Sequence, residues 1–262
     1  MIAQTRFIRV GQCDAIGRIW LEDEPAFNAL SPEMASELRD ALEAMEQACR
    51  VIVLSGTGPA FSAGAKLSEQ MIPQGPDHDA GLPLEADYHP LIRQISRLQV
   101  PVVVGVNGIA AGGGMALALS GDIVVASSKA RFVPAFSGIG LVPDCGLSAV
   151  LANTIGRVRA SELLMLGDAL STERAADLGL INRIVEPGVL DDEVMSIAAR
   201  LAEGPTRALA LTRRLLWDAM GSDLDSALSR ERAGQRDAGR TADHAEGVRA
   251  FLDKRPPVFT GR

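Results

Sequence analysis

Apolar residues recur along this chain with two different periods, and the switches between them mark out the predicted elements. Near the start, Phe7–Val10 and Ala15–Leu21 predict a pair of strands around a Gly-Gln-Cys-Asp turn. The spacing then widens. Met34, Leu38, Ala41, Leu42 and Met45 fall three or four residues apart, the stripe of an amphipathic helix. Ser31 predicts its N-cap, and Pro32 suits the first helical position, where no backbone N–H is needed. Val51–Leu54 and Val102–Val106 are short runs with no polar side chain, which predicts strands buried on both faces. Residues 68–88, rich in proline, glycine and acids, read as a mobile surface loop, and 89–98 as a helix. A glycine turn at Gly112–Gly114 opens a helix to about Ser120, followed by a strand at Ile123–Ala126.

Strand and helix thus alternate, which predicts an α/β fold with parallel strands. From Ser148 the chain reads as mainly helical. Beyond Gly204-Pro205 the stripes Leu209/Leu215/Leu216, Leu224/Leu228 and Val248/Phe251/Leu252 need a surface to pack on. The predicted division is a core domain at 1–203 and a helical C-terminal subdomain at 204–262 that serves oligomerisation. Residues 100–119 are nearly uncharged and long enough to span a membrane. Pro101, Asn107 and five glycines interrupt them, however, and β-branched residues give way to Ala, Leu and Met partway along. A buried strand, a turn and a buried helix fit better, so no membrane partner is expected.

Composition narrows the chemistry. Of 262 residues, 47% are hydrophobic and 23% charged, the balance of a folded globular chain. Lys+Arg 26 against Asp+Glu 33 leaves a net charge of −7, which argues against nucleic acid or an anionic membrane surface as partner. Cys13, Cys49 and Cys145 are scattered and odd in number, as expected of a reduced, cytoplasmic protein, and no apolar leader opens the chain. His78, His89 and His244 stand far apart and no Cys-x-x-Cys accompanies them, so no metal site is predicted. Gly-x-Ser-x-Gly, Gly-x-Gly-x-x-Gly and P-loop patterns are absent, which leaves nucleophilic-serine and dinucleotide chemistry without support.

Two glycine loops remain, Phe61-Ser-Ala-Gly-Ala-Lys-Leu67 and Asn107-Gly-Ile-Ala-Ala-Gly-Gly-Gly114. Each follows a predicted strand, and small residues there let a ligand approach the backbone. If adjacent, the two loops aim a pair of N–H donors at one developing oxyanion; taken singly, each is the tight turn any α/β protein needs. Asp144 is a lone carboxylate among Leu141, Val142, Pro143 and Cys145. Buried beside a substrate, it would have a raised pKa suited to moving protons. From the residues alone, the N-cap of a helix at Leu147–Thr154 accounts for it better.

These two loops, together with Gly140-Leu-Val-Pro-Asp144, Leu170-Ser-Thr-Glu-Arg-Ala-Ala-Asp-Leu-Gly-Leu-Ile181 and the closing Ala250-Phe-Leu-Asp-Lys-Arg-Pro-Pro-Val-Phe259, resemble the crotonase (enoyl-CoA hydratase/isomerase) family over essentially the whole chain. Within it, Phe132–Gly146 and Arg240–Leu252 are similar to the ring-epoxide isomerases of aerobic phenylacetyl-CoA breakdown. The resemblance implies a spiral of ββα units, a trimer or dimer of trimers, and an acyl-CoA thioester as substrate, with no separate cofactor. It implies that Ala65 and Gly113 supply the oxyanion N–H groups and that Asp144 is the acid/base. It also places Ala26, Phe27, Ala63, Lys66, Leu67, Phe136, Phe251 and Lys254 along the acyl-CoA site, with the C-terminal helices as part of its cover. The two glutamates of the family's hydratases correspond here to Ala116 and Phe136. One carboxylate suits isomerisation, which removes a proton and returns it, better than hydration, which must also activate water. Hydration through Asp144, and acyl-CoA binding without catalysis, are the alternatives.

Overall fold

The computed structural model describes residues 2–67, 72, 73, 75 and 77–262. Strands β1 (Ile2–Gln4), β2 (Ile8–Cys13) and β3 (Ile16–Leu21) form an antiparallel meander. Pairing of β2 with β3 runs on to Cys13 opposite Ile16, so the predicted Gly-Gln-Cys-Asp turn shrinks to Asp14-Ala15. Asp14 takes a left-handed φ of 51°, a conformation its short polar side chain tolerates. In α1 (Pro32–Ala48) the Ser31 side chain accepts from Met34 N at 3.1 Å, and the predicted stripe faces the core through Met34, Leu38 and Leu42.

Three strands then enter the main sheet in turn, each followed by a short strand of a second sheet. These pairs are β4 (Val51–Gly56) with β5 (Ala60–Ser62), β6 (Val102–Val106) with β7 (Ile109–Ala111), and β8 (Ile123–Ser127) with β9 (Arg131–Val133). Helix α2 (His89–Arg97) lies between the first and second pairs, and α3 (Gly113–Ala118) between the second and third. The chain is thus a three-turn spiral. Downstream lie α4 (Leu147–Leu166), bent at Gly156 with φ 79°, then β10 (Leu170–Ser171), α5 (Thr172–Asp177), β11 (Arg183–Val185) and α6 (Leu190–Ala202). Three helices close the chain: α7 (Thr206–Ala219), α8 (Leu224–Ala238) and α9 (Ala242–Asp253). The main sheet runs β1-β2-β3-β4-β6-β8-β11, parallel from β3 onward, and the second β10-β9-β7-β5.

Side chains on β4, β6 and β8 divide by the two-residue period of a strand. Ile52, Leu54, Val102, Val104, Val124 and Ala126 join the larger core, with residues of α1 and α2. Val51, Val53, Val103 and Val125 face the other way, against Val194, Ile197 and Ala198 of α6. Both faces are covered, hence the unbroken apolar runs. Residues 100–119 form β6, β7 and α3, and among the described residues no helix is long and apolar enough to cross a membrane.

The predicted loop at 68–88 needs correction at its end. Leu84–Tyr88 is a wide helical turn, closed by His89 N–H on Leu84 O, that runs directly into α2. Its inward side chain, Tyr88, is only 7% exposed. Residues 68–71, 74 and 76 of that loop lie outside the described residues.

Candidate active site

The loop after β5 meets the start of α3 because two glycines leave nothing between them. A Cβ on Gly64, which has a φ of +87°, would lie 2.6 Å from Ala111 O and 3.3 Å from Gly113 N. On Gly114 it would lie 2.4 Å from Ser62 O. Neither position has room for a side chain. Leu30 brackets the loop: its N–H donates to Gly64 O at 2.7 Å, and its carbonyl accepts from Lys66 N at 2.8 Å. In such a parallel bridge the residue between, Ala65, turns its own N–H away from Leu30. Gly113 opens α3, so its N–H has no carbonyl within the helix to bond.

Segment 26–30 is strapped along this loop by Asn28, which is wholly buried at a left-handed φ of 55°. Its Oδ1 accepts from Asp23 N at 2.8 Å, and its Nδ2 donates to Thr57 O and Ala60 O at 2.9 Å each. Ser62 Oγ donates to Asn28 O at 2.8 Å, and Ala63 N to Phe27 O at 2.9 Å. Ala26, Phe27, Ala63, Ala65, Lys66 and Leu67 are thereby brought onto two adjoining segments. Phe27 and Leu67 are 53% and 58% exposed, apolar groups left open to a ligand.

Asp144 reaches the same point from the third turn of the spiral. Its Oδ1 lies 3.8 Å from where a Cβ on Gly113 would stand, with Cys145 Sγ at 3.7 Å and Leu30 Cδ1 at 3.6 Å from that position. Oδ1 is buried and has no hydrogen-bond partner. Burial therefore pushes the Asp144 carboxyl above the usual carboxylate range, and the Cys145 thiol and the charge of His89 offset this only in part. The thiol itself is pushed up by burial and by the neighbouring Asp144, so it stays neutral. Gly146, not Asp144, stands at the N-cap of α4, and no side chain caps that helix. The capping alternative is not realised.

Phe136 is 5% exposed, and its ring end lies 3.8 Å from the Cβ position of Gly112; Ala116 is buried within α3. Phe251 and Lys254 stand at the end of α9. Phe251, 83% exposed, lines a groove with Pro205, Gly247 and Phe259, and Lys254 is the left-handed C-cap.

Four residues here escaped sequence reasoning: Asn28, Tyr88, His89 and Cys145. Tyr88 Oη donates to Leu30 O at 2.9 Å, and its pKa is pushed up to about 12 by burial and then by the negative charges of Asp87 and Asp144 and the nearby Cys145. It is the chain's single tyrosine, in a segment otherwise polar enough to pass for a loop.

Comparison with known proteins fits this geometry. Residues 11–262 match the enoyl-CoA hydratase/isomerase family model, and the chain belongs to that family. It is 43% identical over 238 residues to the 1,2-epoxyphenylacetyl-CoA isomerase of Escherichia coli K12, covering 90% of this chain and 91% of that one. A probable enoyl-CoA hydratase of Rhodobacter capsulatus is 37% identical over 97% of this chain and 98% of its own length. Among solved structures, an enoyl-CoA hydratase subunit I of Geobacillus kaustophilus superposes with a TM-score of 0.92 at 37% identity, covering 99% of this chain and all of that one. The three-turn spiral with its helical C-terminal part is accordingly the crotonase fold.

Proposed function

We propose that this protein isomerises an acyl-CoA thioester by moving a proton through one carboxylate. Ala65 and Gly113 donate their N–H groups to the thioester oxygen, which lowers the energy of the enolate formed when a neighbouring C–H is broken. Asp144 takes that proton and returns it elsewhere on the same face. On a 3-enoyl thioester the proton leaves C2 and comes back at C4, so the double bond moves from C3–C4 to C2–C3. The net change is a proton transfer, with no electron gained or lost, and the reading calls for no metal or redox cofactor.

One observation carries this reading: a carboxylate oxygen is buried, unpartnered and 3.8 Å from the Cβ position of Gly113. Where a second carboxylate would assist water addition, Ala116 and Phe136 are inert, and Phe136 dries the acyl side. The substrates we propose are β,γ-unsaturated enoyl-CoA and ring-epoxide acyl-CoA thioesters, the latter supported by the similarity to the E. coli isomerase. Assembly as a homotrimer or dimer of trimers belongs to the same proposal, with α7 and α8 offering the exposed Leu216, Leu224 and Leu228.

The test is NMR of the protein with 3-hexenoyl-CoA in D₂O, following double-bond migration and water addition together. Migration to the 2-enoyl product without hydration is expected. Accumulation of the 3-hydroxyacyl thioester would replace this reading with a hydratase in which Asp144 manages water.

A further inference from the structure

Leu30 is the residue on which the two proposed donors converge. Its backbone brackets Ala65 on both sides, and its Cδ1 lies 3.6 Å from the Cβ position of Gly113. Its carbonyl accepts two hydrogen bonds, from Lys66 N at 2.8 Å and from Tyr88 Oη at 2.9 Å. The second of these comes from outside the loop. Tyr88 ends the wide turn Leu84–Tyr88, a rare helical form that recurs at functional sites, just where α2 begins. Its ring is 7% exposed while its neighbours Asp87 and His89 stay partly accessible. Asp144 and Cys145 lie near enough to act electrostatically on its hydroxyl. Tyr88 thus bonds a carbonyl of the bridge that holds one proposed donor.

We infer that Tyr88 is a positioning residue for the reaction: its hydroxyl fixes the Leu30 carbonyl on the Lys66 side of the Leu30–Ala65 bridge, and the bridge as a whole holds Ala65 with its N–H toward the thioester oxygen. A buried tyrosine merely filling space would need a hydroxyl partner too, but any carbonyl would serve. The acceptor here is the carbonyl that closes the bracket around Ala65 on its Lys66 side, the Gly64 side being held by the Leu30 N–H. Removing the hydroxyl leaves Leu30 O with the Lys66 bond alone, free to tilt by a few tenths of an ångström. Donors aimed at a developing charge lose much of their effect when displaced on that scale.

This inference rests on the oxyanion reading above, and its test separates the two. Tyr88→Phe keeps the ring and removes only the hydroxyl. With the isomerase substrate its kcat is expected to fall about 10-fold while KM stays within about threefold, because the lost alignment matters most in the transition state. The accompanying readout is optical: a dialkylaminocinnamoyl-CoA thioester absorbs further to the red as donors polarise its carbonyl. The wild-type protein should shift its band on binding, and Tyr88→Phe should shift it less at saturation. No band shift with the wild type overturns the oxyanion reading, and this inference with it. A full shift and wild-type kcat in Tyr88→Phe overturn the role of Tyr88 alone. Should that variant fail to fold, the unaltered sequence still decides. With one tyrosine in the chain, growth on 3-fluorotyrosine labels this residue only. Its fluorine resonance must move when the thioester binds, and a line that stays put counts against the inference.

Discussion

Two aspartates in this molecule are both half-buried and are partnered in opposite ways. Asp122 accepts from Val102 N at 2.7 Å and pairs with Arg213 Nε at 2.8 Å, and Arg213 in turn gives Nη1 to Leu98 O. That carboxylate ties α7 to the start of β6, and its oxygens are spoken for. Asp144 keeps an oxygen buried without any partner, 3.8 Å from the Cβ position of Gly113. Burial does not tell the two apart; hydrogen-bond satisfaction does. A structural carboxylate is surrounded by donors, whereas one held ready for a substrate proton is denied them.

The contrast breaks most sharply by substitution. Asp144→Asn keeps shape and removes the base, so turnover should fall about 10³-fold while acyl-CoA binding stays within a few-fold, as steady-state kinetics and equilibrium titration would show. Retained turnover would end the assignment of Asp144. At the other aspartate the loss should be in stability. Arg213→Ala leaves Asp122 unpaired and is expected to cost about 3 kcal/mol in urea denaturation, with kcat per folded molecule unchanged.

Temperature sharpens the comparison. The folded state raises the Asp144 pKa, so the native protein favours the neutral acid. That preference is fully satisfied below the ordinary aspartate range and is lost as pH rises through the raised value. Asp144→Asn should therefore melt higher than wild type at pH 7, the gap closing as the solution is acidified, whereas Asp122→Asn should melt lower. Calorimetry of the two variants checks both signs. The smallest effect lies far from neutrality. Tyr88, as sole tyrosine, should titrate near 12 by phenolate absorbance instead of the ordinary value near 10. Its contribution to stability is present below pH 10 and fades between about 10 and 12.

How much of this was legible beforehand follows from physical scale. Apolar runs at β4, β6 and β8 and the stripe of α1 announced themselves, since each repeats a period several times. The second sheet did not. Its strands, such as Ala60–Ser62 and Ile109–Ala111, are at most three residues long, too short for any period to register, and are held by neighbours distant in sequence. The wide turn at Leu84–Tyr88 hid for a related reason: its inward side chains are too few to stand out from an acidic surface. In the candidate site the glycine loops were readable as motifs. The alternative of a helix cap for Asp144 was settled only by Gly146 taking that place at φ 78°.

The spiral itself carries a consequence for how such a molecule diversifies. Strands β5, β7 and β9 are consecutive rungs of one sheet, about 4.8 Å apart, and Ala65 and Gly113 follow the first two closely. The separation of the two proposed donors is therefore inherited from the pitch of backbone pairing, which substitution hardly disturbs. Asp144 hangs from the third rung on a longer tether, and Ala116 and Phe136 occupy positions where the side chain is free to change type. In the proposed reaction the activating half of the chemistry is hard-wired into the architecture, while the proton-handling half is interchangeable. A lineage built this way can exchange one thioester reaction for another by single substitutions, without redesigning its scaffold.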